Sequence, residues 1–255
     1  MTEDIIIGRN PVTEALRAER EIETIFIQQN LTDGPLGRVI GLARDRRIPV
    51  RRVPKKKLDE MTREVPGGAP LNHQGVVAKA ALMKYASLDD MLSLAEKKGE
   101  APFIIALDGI TDPHNLGAIV RSAEVFGAHG VVIPKNRSAS MNAAAMKAAS
   151  GAEEFIPVAK VGNLSNAIGE MKEKGLWIAC ADMSGVRADK ADLKGPLCLV
   201  IGSEGSGVSR IVREKCDITV SIEVLGKVDS LNASCAAAVL MYEKRRQTGL
   251  ADDDI

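Results

Sequence analysis

Six short apolar segments recur along the last 155 or so residues of the chain, separated by stretches with helical patterning. The segments are residues 103–107, 131–133, 155–158, 177–181, 197–201 and 218–222. Each is continuously apolar rather than alternating, which is typical of strands that helices cover on both faces. The pattern predicts an α/β fold with a largely parallel sheet.

The first 80 residues have a smaller alternating α/β pattern. Asn10 is expected to cap a helix that Pro11 opens. A strand over 22–27, a helix over 36–47 and strands over 48–53 and 75–80 are predicted to follow. A length of 255 residues suits two domains. We predict an amino-terminal domain over 1–80, a linker over 81–100 that contains one helix, and a larger domain over 101–255.

Charge is unevenly distributed, although 34 Lys and Arg balance 34 Asp and Glu over the whole chain. Residues 44–57 hold eight Lys or Arg and one Asp, a net charge of +7. A run of this kind is commonly a solvated face, and it is also a surface that binds nucleic-acid phosphates. A net charge of zero therefore does not exclude RNA as a partner.

The four cysteines are scattered, without a CxxC pair or a nearby histidine. Neither a zinc site nor a disulfide framework is indicated, and free thiols fit a reducing cytosol. No apolar run approaches the roughly 18 residues of a membrane-spanning helix. We therefore expect a cytoplasmic protein that uses no metal and no membrane.

A polar loop follows the predicted strand at 103–107. Asn115 can cap a helix that begins near Leu116, and Arg121 lies less than two turns further along that helix. Free N–H groups at a helix start and a guanidinium both favour phosphate. Taken alone, however, a helix cap and a surface arginine are the more ordinary interpretation of these two residues.

Two more polar loops follow later segments. The loop at 202–210, GSEGSGVSR, has glycines that allow a close backbone approach to a ligand, but it matches no nucleotide-binding fingerprint. Its Glu204 suits a cationic ligand or a hydroxyl group. Ser230 and Asn232 open a helix rich in small residues, for which Ser230 as the N-cap is the simplest interpretation.

The three loops, in this order and spacing, resemble the motifs of the SpoU/TrmH family of RNA ribose 2′-O-methyltransferases, in the SPOUT superfamily. The matching segments are DGITDPHNLGAIVRSAEVFGAHGVVIP (108–134), KAASGAEE (147–154), LVIGSEGSGVSR (199–210) and SLNASCAAA (230–238). The resemblance covers residues 100–255. The segments GRNPVTEAL (8–16) and NHQGVVA (72–78) resemble the substrate-binding extension of the subgroup that methylates a guanosine of 23S ribosomal RNA.

The resemblance implies a SPOUT sheet with a carboxy-terminal trefoil knot, S-adenosylmethionine (AdoMet) as methyl donor, and a homodimer. The positions that would contact the donor are Gly202, Ile222 and Leu231. The positions that fall at the catalytic centre are Asn115, Arg121, Glu204, Ser230 and Asn232. We assign Arg121 to substrate phosphate and developing alkoxide charge, because arginine keeps its proton in proteins.

Two departures from the family pattern lie in the third loop region. Members commonly carry Ile-Pro-Met where this chain has Ile222, Glu223 and Val224, and Ala233 stands where valine is common. The lost proline bears on the rigidity of the loop more than on the chemistry.

The sequence therefore predicts AdoMet-dependent methylation of a ribose 2′-hydroxyl, in a guanosine of 23S ribosomal RNA. A transfer RNA guanosine is the alternative substrate, and a noncatalytic RNA-binding protein of the same fold is the alternative class. A nucleotide-dependent dehydrogenase is a weaker alternative, because no GxGxxG follows the first strand. Only 3% of the residues are aromatic, which disfavours a general single-strand binder that stacks bases.

Overall fold

A computed structural model of the chain describes residues 5–18, 20–31, 34–63, 72–80, 83–227 and 230–249. The chain divides into two compact units, Met1–Lys84 and Tyr85–Ile255. The division falls inside the linker predicted over 81–100. The helix predicted within that linker belongs to the second unit, where it is α4 (Leu88–Lys98).

The first unit is a four-stranded mixed sheet with three helices. Its elements are β1 (Ile5–Ile7), α1 (Arg9–Arg17), β2 (Ile22–Gln28), α2 (Gly34–Asp45), β3 (Val50–Val53), α3 (Lys55–Arg63) and β4 (Val76–Ala80). The strand order is β1-β4-β2-β3, with β3 parallel to β2 and β4 antiparallel to β1 and β2. Because side chains alternate along a strand, Val76 of β4 joins one apolar cluster with α1 and α2, and Val77 joins another with α3.

Helix α1 begins earlier than the sequence predicted. Gly8, with φ of 96°, is its N-cap residue, so the prediction that Asn10 caps the helix is wrong. The backbone N–H of Gly8 donates to the carbonyl of Val76 at 3.0 Å. A glycine in the left-handed region lets the chain turn from β1 into α1 within one residue, which leaves Asn10 exposed inside the helix.

The basic run at 44–57 covers the end of α2, strand β3 and the start of α3. Seven of its eight cations are exposed, and Arg46 is half-buried. The guanidinium of Arg46 donates to the carbonyls of Leu16 and Arg20, at 2.9 and 3.1 Å. Arg46 therefore holds the first unit together, whereas the other seven cations remain on the surface.

The second unit is a six-stranded sheet in which every strand pair is parallel, as the apolar segments predicted. After α4 its elements are β5 (Phe103–Asp108), α5 (Pro113–Val125), β6 (Gly130–Pro134), α6 (Ala143–Ala149), a 3-10 turn (Ala152–Glu154), β7 (Val158–Val161), α7 (Leu164–Glu173), β8 (Trp177–Arg187), β9 (Leu197–Gly202), α8 (Arg210–Arg213), β10 (Ile218–Ser221) and α9 (Ala233–Thr248). The strand order is β10-β8-β9-β5-β6-β7. The central strands β5 and β9 are buried along all but their last residue, which explains their continuous apolar character.

Two strands differ from the predicted segments. The strand predicted over 155–158 begins later, as β7 at Val158. At residue 155 the chain is still leaving the 3-10 turn, and Phe155 is 75% exposed. Pro157 has no N–H group to donate to a sheet hydrogen bond. Strand β8 continues to Arg187, beyond the predicted end at residue 181, and its polar second half pairs with β10. Across the described parts of the chain, no helix has both the length and the apolar character needed to cross a lipid bilayer.

Candidate active site

The candidate site lies at the carboxyl ends of the central parallel strands. Strands β5 and β9 are neighbours, and the segments that follow them carry Asn115 and Glu204. Parallel strands end at the same edge of the sheet, where ligands of open α/β folds bind. Helix α9 packs against α5 and β9, which brings Asn232, at its start, to the same edge.

Asn115, Glu204 and Asn232 form a closed set of hydrogen bonds, hereafter the amide–carboxylate cluster. Asn115 Nδ2 donates to Glu204 Oε1 at 3.0 Å, and Asn232 Nδ2 donates to the same oxygen at 2.5 Å. Asn232 Nδ2 also donates to Asn115 Oδ1 at 3.0 Å. The structure therefore brings together three of the five predicted catalytic residues, from segments up to 117 residues apart.

Asn232 is held in one orientation because its side chain also caps helix α9. Its Oδ1 accepts from the backbone N–H groups of Ser234 and Cys235, at 2.9 and 3.3 Å, which makes Asn232 the N-cap residue of α9. The interpretation of Ser230 as that cap is therefore wrong. Because the oxygen is committed to the helix, the Nδ2 group must point towards Glu204.

The N-cap of α5 is also displaced from its predicted position. Asp112 accepts from the N–H of His114 at 3.0 Å, with Pro113 as the first helical residue, so the prediction that Asn115 is the cap is wrong. Proline fits the first position because its missing N–H is not needed there. With the cap supplied by Asp112, the amide of Asn115 is available to Glu204 and Asn232.

Arg121 lies on α5 with Asn115, but its hydrogen bond goes elsewhere. Its Nη1 donates to Ser150 Oγ at 3.4 Å, and its side chain is exposed. Ser150 ends α6 in the left-handed conformation, with φ of 55°. Arg121 is thus an accessible cation on the same helix as Asn115, where an anion from solvent can reach it.

A cavity of about 330 Å³ adjoins the cluster, near the lower end of the range for small-molecule sites, about 300–1,000 Å³. All three residues predicted to hold a donor line it, namely Gly202, Ile222 and Leu231. Glu204 and Ser230 line it as well. Glu204 therefore faces the cavity and also belongs to the hydrogen-bonded cluster.

Main chain forms one wall of this cavity. Ser203 and Gly207 exchange two backbone hydrogen bonds, at 3.2 and 2.9 Å, which closes the glycine loop into a tight turn. A Cβ atom on Gly202 would overlap the backbone of Gly207 and Val208. Only glycine at 202 lets the loop fold back this closely.

Asp182 in the cavity lining was not among the predicted site residues. Its Oδ1 accepts from the N–H and hydroxyl of Ser184, at 3.0 and 2.6 Å, and its Oδ2 pairs with Arg213. The Ser184 hydrogen bonds, together with Arg213, hold the pKa of Asp182 below its usual range. Because Arg213 pairs with it, Asp182 adds little net negative charge to the cavity wall. Its position directly after the apolar segment at 177–181 was the sequence feature that could have identified it as a lining residue.

Glu223, which stands where the family pattern has proline, contacts strand β8. Its Oε2 lies 3.0 Å from Arg187 Nη1, and both side chains are about half exposed. An exposed pair of this kind contributes about 0–1 kcal/mol. In place of the backbone restriction that a proline would impose, the loop after Ile222 is joined to β8 by one weak ion pair.

Two family models match the chain, one for each unit. The model described as the SpoU rRNA methylase family matches residues 102–242, and the model for the substrate-binding part of RNA 2′-O ribose methyltransferases matches residues 5–86. The first includes all eight predicted site residues. The second includes the basic run.

Similar proteins cover nearly the whole chain. A Bacillus subtilis protein, YacO, of the TrmH family of tRNA/rRNA methyltransferases, is 47% identical over 96% of each chain, and Staphylococcus aureus relatives are 40% identical over 98% of this chain and 99% of theirs. The AdoMet complex of the SpoU methyltransferase AviRb from Streptomyces viridochromogenes is 25% identical, with a TM-score of 0.59 over 95% of this chain and 89% of AviRb. From these matches and the assembled site, the chain belongs to the SpoU rRNA methylase family and is an RNA methyltransferase.

Proposed function

We propose that this protein transfers the methyl group of AdoMet to the ribose 2′-hydroxyl of a guanosine in 23S ribosomal RNA. One observation carries the proposal. The amide–carboxylate cluster lies at a cavity lined by Gly202, Ile222 and Leu231, so that a bound donor and a hydrogen-bonding site for a hydroxyl would be neighbours.

The residues present fit AdoMet as the donor. When bound, AdoMet supplies a methyl group on a positively charged sulfur. Glu204 gives the cavity a negative group that favours a cation, while the main chain around Gly202 and the side chains of Ile222 and Leu231 surround the apolar parts of the donor.

In the transfer, a C–O bond forms as the C–S bond breaks, and the hydroxyl proton is released. The protein has to align the oxygen with the methyl carbon and the sulfur, which is a positioning task. Glu204 and Asn232 hold the amide of Asn115, and the second Nδ2 hydrogen of Asn115 can orient the ribose, while both Nδ2 hydrogens of Asn232 are used within the cluster. Arg121 holds an RNA phosphate and stabilises the negative charge that develops on the oxygen.

The choice of RNA rests on the first unit. The segments 8–16 and 72–78 support the ribosomal substrate, because they resemble the extension of the subgroup that acts on 23S ribosomal RNA. Transfer RNA is the second candidate, since the curated relatives carry both RNA classes in their names.

The proposal also includes the knot, the dimer and the compartment that the family resemblance implies. After the edge strand β10, the chain returns to pack α9 against α5 and β9 in mid-sheet, a path that a trefoil knot requires. Exposed Val239 and Tyr242 on α9 support a homodimer interface beside it. The four free cysteines favour the cytoplasm.

The substrate can be tested with purified protein and labelled AdoMet. Ribosomal and transfer RNA are prepared from a strain that lacks the gene and from its parent, and 2′-O-methyl sites are mapped. We expect methylation of one guanosine in 23S ribosomal RNA from the deletion strain only. Transfer to tRNA instead would replace the ribosomal substrate, and the absence of transfer to either RNA would overturn the proposed function.

Replacing Arg121 tests the assignment of the chemistry. Arg121→Ala should lower methyl transfer by about 100-fold to 1,000-fold, while calorimetry finds AdoMet affinity nearly unchanged. The matched control is Arg210→Ala, which removes an exposed arginine whose side chain pairs, among the described residues, with Glu214 at the surface. Near-normal turnover by Arg121→Ala on the true RNA would contradict the assignment.

A further inference from the structure

A second cavity, of about 370 Å³, lies wholly within the first unit. We call it the amino-terminal pocket. Its polar lining includes Arg9, Gln28, Lys55, Asn72, His73 and Gln74. These residues come from the starts of α1 and α3, the end of β2 and the segment that leads into β4. The family match gives the unit a role in substrate binding but assigns no site in it.

A strained turn forms one side of the pocket. Val76 N–H donates to the carbonyl of His73 at 2.8 Å, and both residues between them are left-handed, with φ of 49° at Gln74 and 80° at Gly75. The φ of 80° favours glycine at position 75, and a Cβ atom there would also crowd the end of the Leu31 side chain. Glutamine is uncommon in this conformation, and backbone strain of this kind clusters at binding sites.

Hydrogen bonds fix the turn in one geometry. Arg9 Nε donates to the carbonyl of Gln74 at 2.8 Å. His73 is 6% exposed, and its Nδ1 accepts from the N–H of Gly75 at 2.9 Å. The proton of the neutral ring is therefore on Nε2, which donates to Asp59 Oδ1 at 3.0 Å. The pocket wall is set before any ligand arrives.

The wall combines cationic groups with amide groups. Arg9 and Lys55 are the cations, and Asp59, the one acid lining the described pocket, is engaged by His73. Arg52 adds a further cation at the edge, where its Nη1 donates to the carbonyl of Leu31 at 3.4 Å. The net positive charge suits a phosphate, and the amides of Gln28 and Asn72 suit the hydrogen-bonding edge of a base.

We propose that the amino-terminal pocket binds one unpaired nucleotide of the RNA substrate. Its phosphate contacts Arg9 and Lys55, and its base edge meets the amides of Gln28 and Asn72. Inside a duplex the Watson–Crick edge of a base is paired, so a paired nucleotide cannot offer that edge to the two amides, and RNA is commonly recognised through splayed bases. The inference rests on the proposed function only in taking RNA as the ligand.

The test measures RNA binding by the full-length protein, separately from methyl transfer. Fluorescence anisotropy is recorded with a short single-stranded RNA of mixed sequence and with the same sequence as a perfect duplex. Lys55→Ala is compared with Arg63→Ala, because both cations are exposed on α3, and Arg63 neither lines the pocket nor belongs to the basic run. Gln28→Ala probes the base side of the pocket.

We expect Lys55→Ala to raise the Kd for single-stranded RNA about tenfold and to reduce its log–log salt slope by about 0.7, the value for one phosphate contact. Arg63→Ala should change the Kd less than about twofold, a difference expected for a solvated charge. Gln28→Ala should weaken single-stranded binding without changing the salt slope, and the duplex Kd should respond to neither pocket variant.

Equal effects of Lys55→Ala and Arg63→Ala, or equal losses for duplex and single strand, would overturn the proposal. Its failure is distinguishable from failure of the proposed function. If the wild type methylates RNA while Lys55→Ala binds single strands as the wild type does, only the pocket is refuted. If no RNA is methylated but the Lys55 difference is found, only the proposed reaction is refuted.

Discussion

The two cavities described above differ in the chemistry of their linings. The cavity of the second unit is walled by folded-back main chain around Gly202 and by apolar side chains such as Leu231, with a few carboxylates. The amino-terminal pocket is walled by cations and amides, with its backbone strained at Gln74. The first suits a compact ligand with a positive centre, and the second suits part of a polyanion. Each unit therefore has the chemistry for one of the two reactants.

The largest expected effect comes from a substitution in the amide–carboxylate cluster that leaves the lining residues of both cavities unchanged. Asn232→Asp keeps the oxygen that caps α9 but replaces the Nδ2 donor by an acceptor facing Glu204. We expect kcat to fall about 100-fold to 1,000-fold, because the cluster loses the amide that joins Asn115 to Glu204 and gains a carboxylate that faces Glu204. Single-turnover kinetics with labelled AdoMet measures this fall.

The control for that variant is Asn163→Asp, at the N-cap of α7, where the side chain accepts from the N–H of Asn166 at 3.1 Å. Aspartate caps a helix as well as asparagine does, so its activity should match the wild type. If both variants lose activity equally, the effect belongs to capping and not to the amide–carboxylate cluster.

A smaller effect should follow from closing the cavity of the second unit. Gly202→Ala places a methyl group against the backbone of Gly207 and Val208, and overpacking of this kind costs about 1–3 kcal/mol. AdoMet affinity, measured by calorimetry, should fall about tenfold to 100-fold, while the RNA affinity of the first unit stays unchanged. Gly205→Ala, in the same loop but with open space around its Cβ, should bind AdoMet normally. Equal losses from both glycines would refute the backbone-wall explanation.

The smallest effect separates structural from RNA-facing cations in the first unit. Arg46→Ala removes the hydrogen bonds to Leu16 and Arg20, and should lower the free energy of unfolding of that unit by about 1–2 kcal/mol. Urea titration measures this loss. The exposed Arg51→Ala should leave stability unchanged and reduce the salt slope of RNA binding by about 0.7. An unchanged slope would mean that the basic run is only a solvated face.

The parallel sheet could be predicted because strands that are buried on both faces, such as β5 and β9, are continuously apolar in the local sequence. The ends of the segments were harder to predict. The apolar residues at 155–158 begin where the chain leaves a 3-10 turn, and the polar half of β8 is paired only because β10 lies beside it. Pattern alone could not indicate the cluster, because Glu204 meets Asn115 across 89 residues. The family resemblance supplied those positions instead.

The caps show why local rules fail at such a site. Asn10 and Asn115 have the right chemistry for helix starts, yet Gly8 and Asp112 occupy those positions. At 115 the amide is needed for a contact made in three dimensions, and an aspartate three residues earlier supplies the cap. Asn232 performs both tasks at once, which a sequence pattern cannot distinguish from capping alone.

The spread of the amide–carboxylate cluster along the chain has a consequence for synthesis. Its third member, Asn232, is translated 28 residues after Glu204 and opens the last helix described. A nascent chain that has emerged only as far as α8 therefore holds Asn115 and Glu204 without the group that joins them. The reactive arrangement forms only after residue 232 has been translated, so we expect chains that terminate before it to show no methyl transfer, even when they retain the amino-terminal unit.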